Sequence, residues 1–220
     1  AEAQQTVSLE DAESIRAIGD LRIAGIAPSV QKQAQVKAGS KNRNFTVIGT
    51  WADYASVQNS QPAFGTFFTD TDETSRQRVA VIGASVAKEF FGSSEAALGE
   101  SVSIEGNSFE VIGVLEDKSS GFNNSNENVI IPLSSYLQRL GKEKTKSGET
   151  VVSSLVVQAR DTDVIKELQA DLETLIASRH DTPTPADYDF SIENLADQLA
   201  SLNNILTLMQ VFLGAVAGIS

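Results

Sequence analysis

Gly83-Ala84-Ser85-Val86-Ala87 is the stretch whose residue types come nearest to chemistry. The apolar run Val79-Ala80-Val81-Ile82 leads into it, and a helical pattern over residues 85–91 follows. Strand, Gly-x-Ser-x-Ala, then helix is close to a nucleophile elbow, in which a tight turn lifts a serine hydroxyl above a sheet. The single histidine, His180, lies downstream, in the order such a site needs, and acids are plentiful between the two. A serine hydrolase using Ser85 and His180 is therefore the enzymatic reading. Two features oppose it. The residues after Phe91 form a hairpin pattern rather than a further βα unit, and His180, between Arg179 and Asp181, suits a cation completing a helix C-terminus. Ser85 then reads as a helix N-cap.

Other chemistry is thinner still. Asp70, Asp72 and Glu73 lie close enough together to hold a hard cation, but the run lacks the glycine and distal glutamate of a calcium loop, so a solvated turn is the simpler reading. There is no Gly-x-Gly-x-x-Gly and no Walker A sequence. One histidine and no cysteine leave zinc without its usual ligands. No motif in the chain is by itself an active site.

Composition narrows the function classes further. With 41% hydrophobic residues in 220, the chain can bury a core. Lys and Arg number 17 against 29 Asp and Glu, a formal net charge of -12, which repels phosphate backbones and anionic headgroups. Nucleic acid is therefore not an expected partner. The absence of cysteine excludes disulfides, thiolate metal sites and a cysteine nucleophile together. Residues 205–219 carry no charge and are rich in small residues (Gly214, Ala215, Ala217, Gly218), and we read residues 201–220 as the start of a transmembrane helix.

The elements that would position any site follow from periodicity. Ser8 and Asp11 form a capping box ahead of Leu9, Ala12, Ile15 and Ile18 at helical spacing, and Gly19 stops that helix. Residues 30–37 alternate as a strand, 39–44 read as a turn, and 45–50 as the returning strand. Trp51, Tyr54 and Val57 suggest a short helical turn packed by its aromatics. Residues 102–104 and 109–115 alternate around Glu105-Gly106-Asn107, a β-hairpin. Residues 117–128 form a polar loop whose one apolar residue, Phe122, is a candidate partner contact. Residues 129–131 are a short strand, and Pro132 opens a helix carrying Leu133, Tyr136, Leu137 and Leu140. Residues 151–157 make another strand, Asp161 caps an amphipathic helix through Ile176, and Tyr188, Phe190 and Ile192 alternate as a last strand. Leu195, Leu199 and Leu202 begin a final helix. The pattern is α+β in two subdomains, the outer one discontinuous in sequence.

An ordered set of segments carries a family resemblance. Val79-Ala80-Val81-Ile82-Gly83, Val86-Ala87-Lys88-Glu89-Phe90-Phe91-Gly92, Leu98-Gly99-Glu100, Phe109-Glu110-Val111-Ile112-Gly113-Val114 and Ile131-Pro132-Leu133 occur in that order, preceded by residues 64–69 and followed by Arg179-His180 and Asp189-Phe190. Together they resemble the extracytoplasmic (periplasmic) core domain of MacB-type ABC transporter permeases, within the FtsX-like group. Thr66 stands where an arginine is common in that family. The resemblance implies an α/β porter-like subdomain from residues 1–60 and 151–200, with an inserted, mostly-β sabre-like subdomain at 61–150. It also implies a domain outside the membrane between two transmembrane helices, on the periplasmic or extracellular side.

By the same resemblance the chain would be no enzyme and hold no cofactor: ATP and Mg would belong to a cytoplasmic ABC ATPase domain or subunit. Its partners would be that ATPase, a membrane-fusion adaptor protein and a second copy of the permease. Its task would be MacB-like export, coupling ATP hydrolysis mechanically to an adaptor or substrate, with Leu195, Leu199 and Leu202 on a lever helix. Lipoprotein release, peptide-antibiotic resistance and regulation of cell-wall hydrolases are the alternatives within the group.

Overall fold

The computed structural model describes residues 7–118, 125–145 and 147–194. Helix α1 (Leu9–Ile18) begins where the sequence places it. The Ser8 hydroxyl accepts the Asp11 amide at 3.1 Å, and the Asp11 carboxylate accepts the Ser8 amide at 2.9 Å. Gly19, at φ 65°, ends the helix in the left-handed region.

The first strand, β1 (Ile23–Ala38), runs 16 residues and so begins well before the alternation is evident. It turns through Gly39 and Ser40 into β2 (Lys41–Thr50), with Ala38 opposite Lys41. Residues 39–44 are therefore a two-residue turn plus the tip of a strand, not a six-residue turn. The tip is polar because all of 41–44 face water, while the backbone there stays in the ladder.

Beyond the short helix α2 (Tyr54–Val57) come β3 (Pro62–Gly65), α3 (Asp70–Thr74), β4 (Val79–Ile82) and α4 (Ala84–Phe91). The hairpin β5 (Ser101–Ile104) and β6 (Asn107–Leu115) turns through Glu105 and Gly106, both at positive φ. Strand β7 (Asn128–Pro132) feeds α5 (Leu133–Arg139), and β8 (Ser154–Ala159) is followed by α6 (Ile165–Arg179). The strand expected from residue 151 thus starts at Ser154; Val151 makes only an isolated bridge with Ser8. Asp161 caps a 3₁₀ turn that leads into α6. Residues 188–192 take no strand pairing. Their alternation records which side chains are covered, not a ladder partner.

The strands form one sheet, and the pairings close a cycle: β1 to β2, β7, β4, β6, β5 and back to β1. The β2–β7 and β4–β6 pairs are parallel. Outside the cycle, β8 pairs with the first half of β1, and β3 with the last residues of β6. The β1–β8 pair joins residues 1–60 to 151–200, and the β2–β7 and β1–β5 pairs join residues 1–60 to 61–150 in the same sheet.

One face of all six cyclic strands supplies the main core. Val36, Phe45, Val47, Ile82, Ile104, Phe109 and Ile131 meet Val86 and Phe90 of α4 and Leu133 of α5 there. Alternate residues Ile48, Val81 and Ile130 build a smaller cluster with Phe68 and Leu115 on the other side. Each such side chain contributes roughly 1.5–3 kcal/mol on burial. The fold is α+β, built around that doubly covered sheet. Among the described residues no helix is long and apolar enough to cross a membrane.

Candidate functional site

Ser85 sits at the second position of α4, half-buried, and the N-cap is Gly83 instead. The glycine is required by close approach: a Cβ there would lie 2.2 Å from the Asn126 carbonyl oxygen. The backbone of residues 125–126 thus covers the turn from which an elbow serine would have to project. Asp70, Asp72 and Glu73 do not form a solvated turn but start α3, capped reciprocally by Thr69 and Asp72. Nor do they converge on a cation. Asp72 accepts from Thr69, Asp70 faces Arg16 at 3.9 Å, and Glu73 turns inward to Ser134. Trp51 is buried beneath the Arg16 guanidinium, 3.7 Å from the ring centroid, so the aromatics there pack. Phe122 and the helix positions Leu195, Leu199 and Leu202 lie outside the described residues.

The densest polar constellation lies where the start and the end of the described chain meet. Asp11, fully buried, does more than cap its own helix. Its Oδ1 accepts from Arg179 Nε at 2.6 Å, and its Oδ2 is 3.0 Å from His180 Nε2. Arg179 is the last residue of α6 and His180 its C-cap, so both basic side chains stand at a helix C-terminus as the sequence suggests. Asp181, at φ 54°, reverses the chain, and the Thr182 amide returns to the Ala177 carbonyl. The outgoing segment then brings Asp189 Oδ1 to 2.7 Å from His180 Nδ1.

The surroundings fix this geometry. Phe190 meets the imidazole edge to face, with centroids 5.8 Å apart, and stacks on Tyr188. Val7, Ile176, Ala177 and Ile192 complete the apolar cluster around them. The residues before β8 join from the third side. Glu149 accepts from Arg179 at 2.9 Å, the Thr150 amide donates to Glu10 at 2.8 Å, and the Leu9 amide donates to the Thr150 carbonyl at 2.8 Å.

Electrostatics follow from the contacts. Burial opposes ionisation of Asp11, but hydrogen bonds from Arg179, the Ser8 amide and His180 outweigh it and hold the carboxyl below its ordinary value. Burial likewise opposes charge on His180, and Asp189 and Asp11 outweigh it, raising the imidazole above 6.5. Asp11, Glu149 and His180 bring ligand-type atoms within 4.8 Å of one another. The Arg179 guanidinium already bonds both carboxylates, so this chain supplies its own cation there.

Sequence reasoning saw each part as local: Asp11 as a cap, His180 as a helix-end cation. Their meeting across 169 residues had one signal. Arg179-His180 and Asp189-Phe190 both belonged to the motifs that carried the resemblance. Both ring nitrogens of His180 are taken by carboxylates, which leaves none for a serine hydroxyl. An open cleft of about 580 Å³ runs alongside between β8 and α6, lined by apolar side chains such as Leu155, Leu168 and Leu172. It includes none of Asp11, Arg179, His180 and Asp189.

Comparison with known proteins places this architecture. Residues 1–175 match the MacB-like periplasmic core domain family. The macrolide export ATP-binding/permease protein MacB of Bdellovibrio bacteriovorus is 32% identical over 219 residues, covering 97% of this chain and 32% of that protein. The pyoverdine export ATP-binding/permease protein PvdT of Pseudomonas entomophila is 31% identical over 226 residues, covering 100% of this chain and 33% of that protein. The chain thus spans about a third of the length of these curated relatives.

Among solved structures, the periplasmic region of MacB from Actinobacillus actinomycetemcomitans superposes with a TM-score of 0.73 at 22% identity, over 91% of this chain and 84% of that one. The extracellular domain of the ABC-type transporter YknZ from Gram-positive bacteria gives 0.69 at 22% identity, over 86% and 90%. Sheet, helices and sequence motifs agree on one assignment: this chain belongs to the MacB-like periplasmic core domain family.

Proposed function

We propose that this chain is the extracytoplasmic domain of an ABC export permease, carrying ATP-driven motion from the cytoplasmic side to a process outside the membrane. The observation that carries the reading is the junction. Residues 7–11 and 179–190, the two ends through which the domain would be moved, are held together by Asp11, Arg179, His180 and Asp189. Force on either end therefore reaches a body cross-braced by a closed cycle of strands. Such a body needs no catalytic groups of its own.

ATP and Mg would be bound by an ATPase domain or subunit, in line with the ATP-binding/permease names of the relatives. The external partner would be a membrane-fusion adaptor, and the permease would work as a homodimer. The lever would be the helix expected from Leu195, Leu199 and Leu202. Proline cannot continue a helix, because it lacks an amide donor and its ring clashes with the preceding turn. In the full-length permease, Ser201→Pro should abolish export while ATP binding is retained. Export at the wild-type rate would overturn the lever.

A further inference from the structure

We propose that His180 is a proton-operated pin, a doubly protonated imidazolium bridging Asp11 and Asp189 that, on losing a proton, keeps Asp11 and lets Asp189 go. The geometry requires the first half. Nδ1 lies 2.7 Å from one carboxylate oxygen and Nε2 3.0 Å from another. A neutral imidazole has one N–H and one lone pair, so one of those contacts would set a lone pair against a carboxylate. Between imidazole and carboxyl the proton resides on the imidazole, the stronger base by roughly two units.

The charges facing the ring favour the same form. Asp11 comes from α1, Asp189 from the outgoing segment, Glu149 from the residues before β8, and Arg179 from α6. Three carboxylates against one guanidinium leave a place for a second positive charge. Burial lowers the proton affinity of His180, and Asp189 and Asp11 more than offset it.

The second half follows from the unequal holds on the two acids. Asp11 has no exposed side-chain surface and is fixed by Ser8 and Arg179 as well. Asp189 is 33% exposed and stands on a segment with no strand pairing. Water can replace the imidazole at Asp189 but not at Asp11. Neutral His180 therefore carries its proton on Nε2, and the Asp189–His180–Asp11 bridge opens at Asp189. Because the folded value lies above 6.5, the pin is closed at acidic pH and opens as pH rises through that value.

His180 is the only histidine in the chain, so ring ¹⁵N NMR over a pH titration reads it alone. The midpoint should lie above 6.5, the alkaline form should be the Nε2–H tautomer, and Phe190 ring resonances should shift with the same midpoint. Asp189→Asn should lower the midpoint by about one unit, a roughly tenfold weaker hold on the proton. A midpoint at or below 6.5, an Nδ1–H tautomer, or a midpoint unmoved by Asp189→Asn would each overturn the pin. The wild-type tautomer decides the point even if that variant folds poorly. What release does in the transporter rests on the coupling reading above. The titration does not, so an export test and a titration can fail separately.

Discussion

Among the described residues, two buried carboxylates serve helix N-termini, and their surroundings push them in opposite directions. Asp11 caps α1 and meets two basic side chains, Arg179 and His180. Glu73, 9% exposed, sits on α3 and reaches across to α5, where Pro132 at the N-cap offers no side-chain hydrogen bond. The Ser134 amide donates to Glu73 Oε1 at 2.8 Å, and the Ser134 hydroxyl donates to the Glu73 carbonyl. The other carboxyl oxygen, Oε2, is buried with no hydrogen-bond partner among the described residues. Burial therefore dominates at Glu73 and raises its proton affinity, against the Ser134 and Leu133 amides and the more distant charge of Arg16. A buried acid stays ionised where cations converge on it and drifts toward the neutral form where only helix amides do. At the junction two basic side chains hold the carboxyl to its charged form; at the α3–α5 contact burial makes the carboxyl hold its proton more tightly than usual.

The strongest way to break that contrast is at Asp11. Asp11→Ala would leave Arg179 and His180 facing each other without their shared acceptor and would also remove the α1 cap. Loss of one partner from a buried pair is costly, and a destabilisation of about 3 kcal/mol is expected, the low end of the range because Arg179 reaches solvent. Urea unfolding measures it; a loss no larger than that of a surface substitution would show that the junction holds nothing.

At Glu73 the effects are smaller and depend on the replacement. Glu73→Ala strands the Ser134 amide and should destabilise by about 1–2 kcal/mol. Glu73→Gln keeps an acceptor for that amide and should be close to wild type at acidic pH. Equal losses for the two variants would mean that charge, not hydrogen bonding, holds the clasp.

Both acids show how far the sequence could be read. The capping box of Asp11 was visible because Ser8 and Asp11 are three residues apart, and the Glu105-Gly106 hairpin because its turn is local. The Arg179 and His180 contacts were not visible, since a cap looks the same whether or not two cations arrive from 168 and 169 residues away. Glu73 reads in sequence as part of a solvated turn because three acids in four residues suggest water, while burial of one of them is set by α5. The same limit hid the strand cycle: alternation identified most of its strands, but β1 closing against β5 rests on two residue pairs far apart in sequence. Tyr188, Phe190 and Ile192 alternate because they pack around His180, Val7 and one another, and periodicity cannot distinguish that from a ladder.

The finest test of the contrast is the pH dependence of stability, where the two acids act with opposite sign. Asp11 has a folded value below its unfolded one, so its contribution is present above about 3.8 and is lost as pH falls through the folded value. Glu73 has a folded value above its unfolded one, so its contribution is present below 4.5 and is lost as pH rises through the folded value. Glu73→Gln cannot ionise and escapes that loss. The difference in urea midpoint between Glu73→Gln and wild type should therefore move in favour of the variant from pH 4 to pH 7. The same series on an Asp11→Asn background should keep that trend, because the two sites share no hydrogen bond. A difference that stays flat with pH would mean that Glu73 ionises as freely folded as unfolded, and that water reaches Oε2.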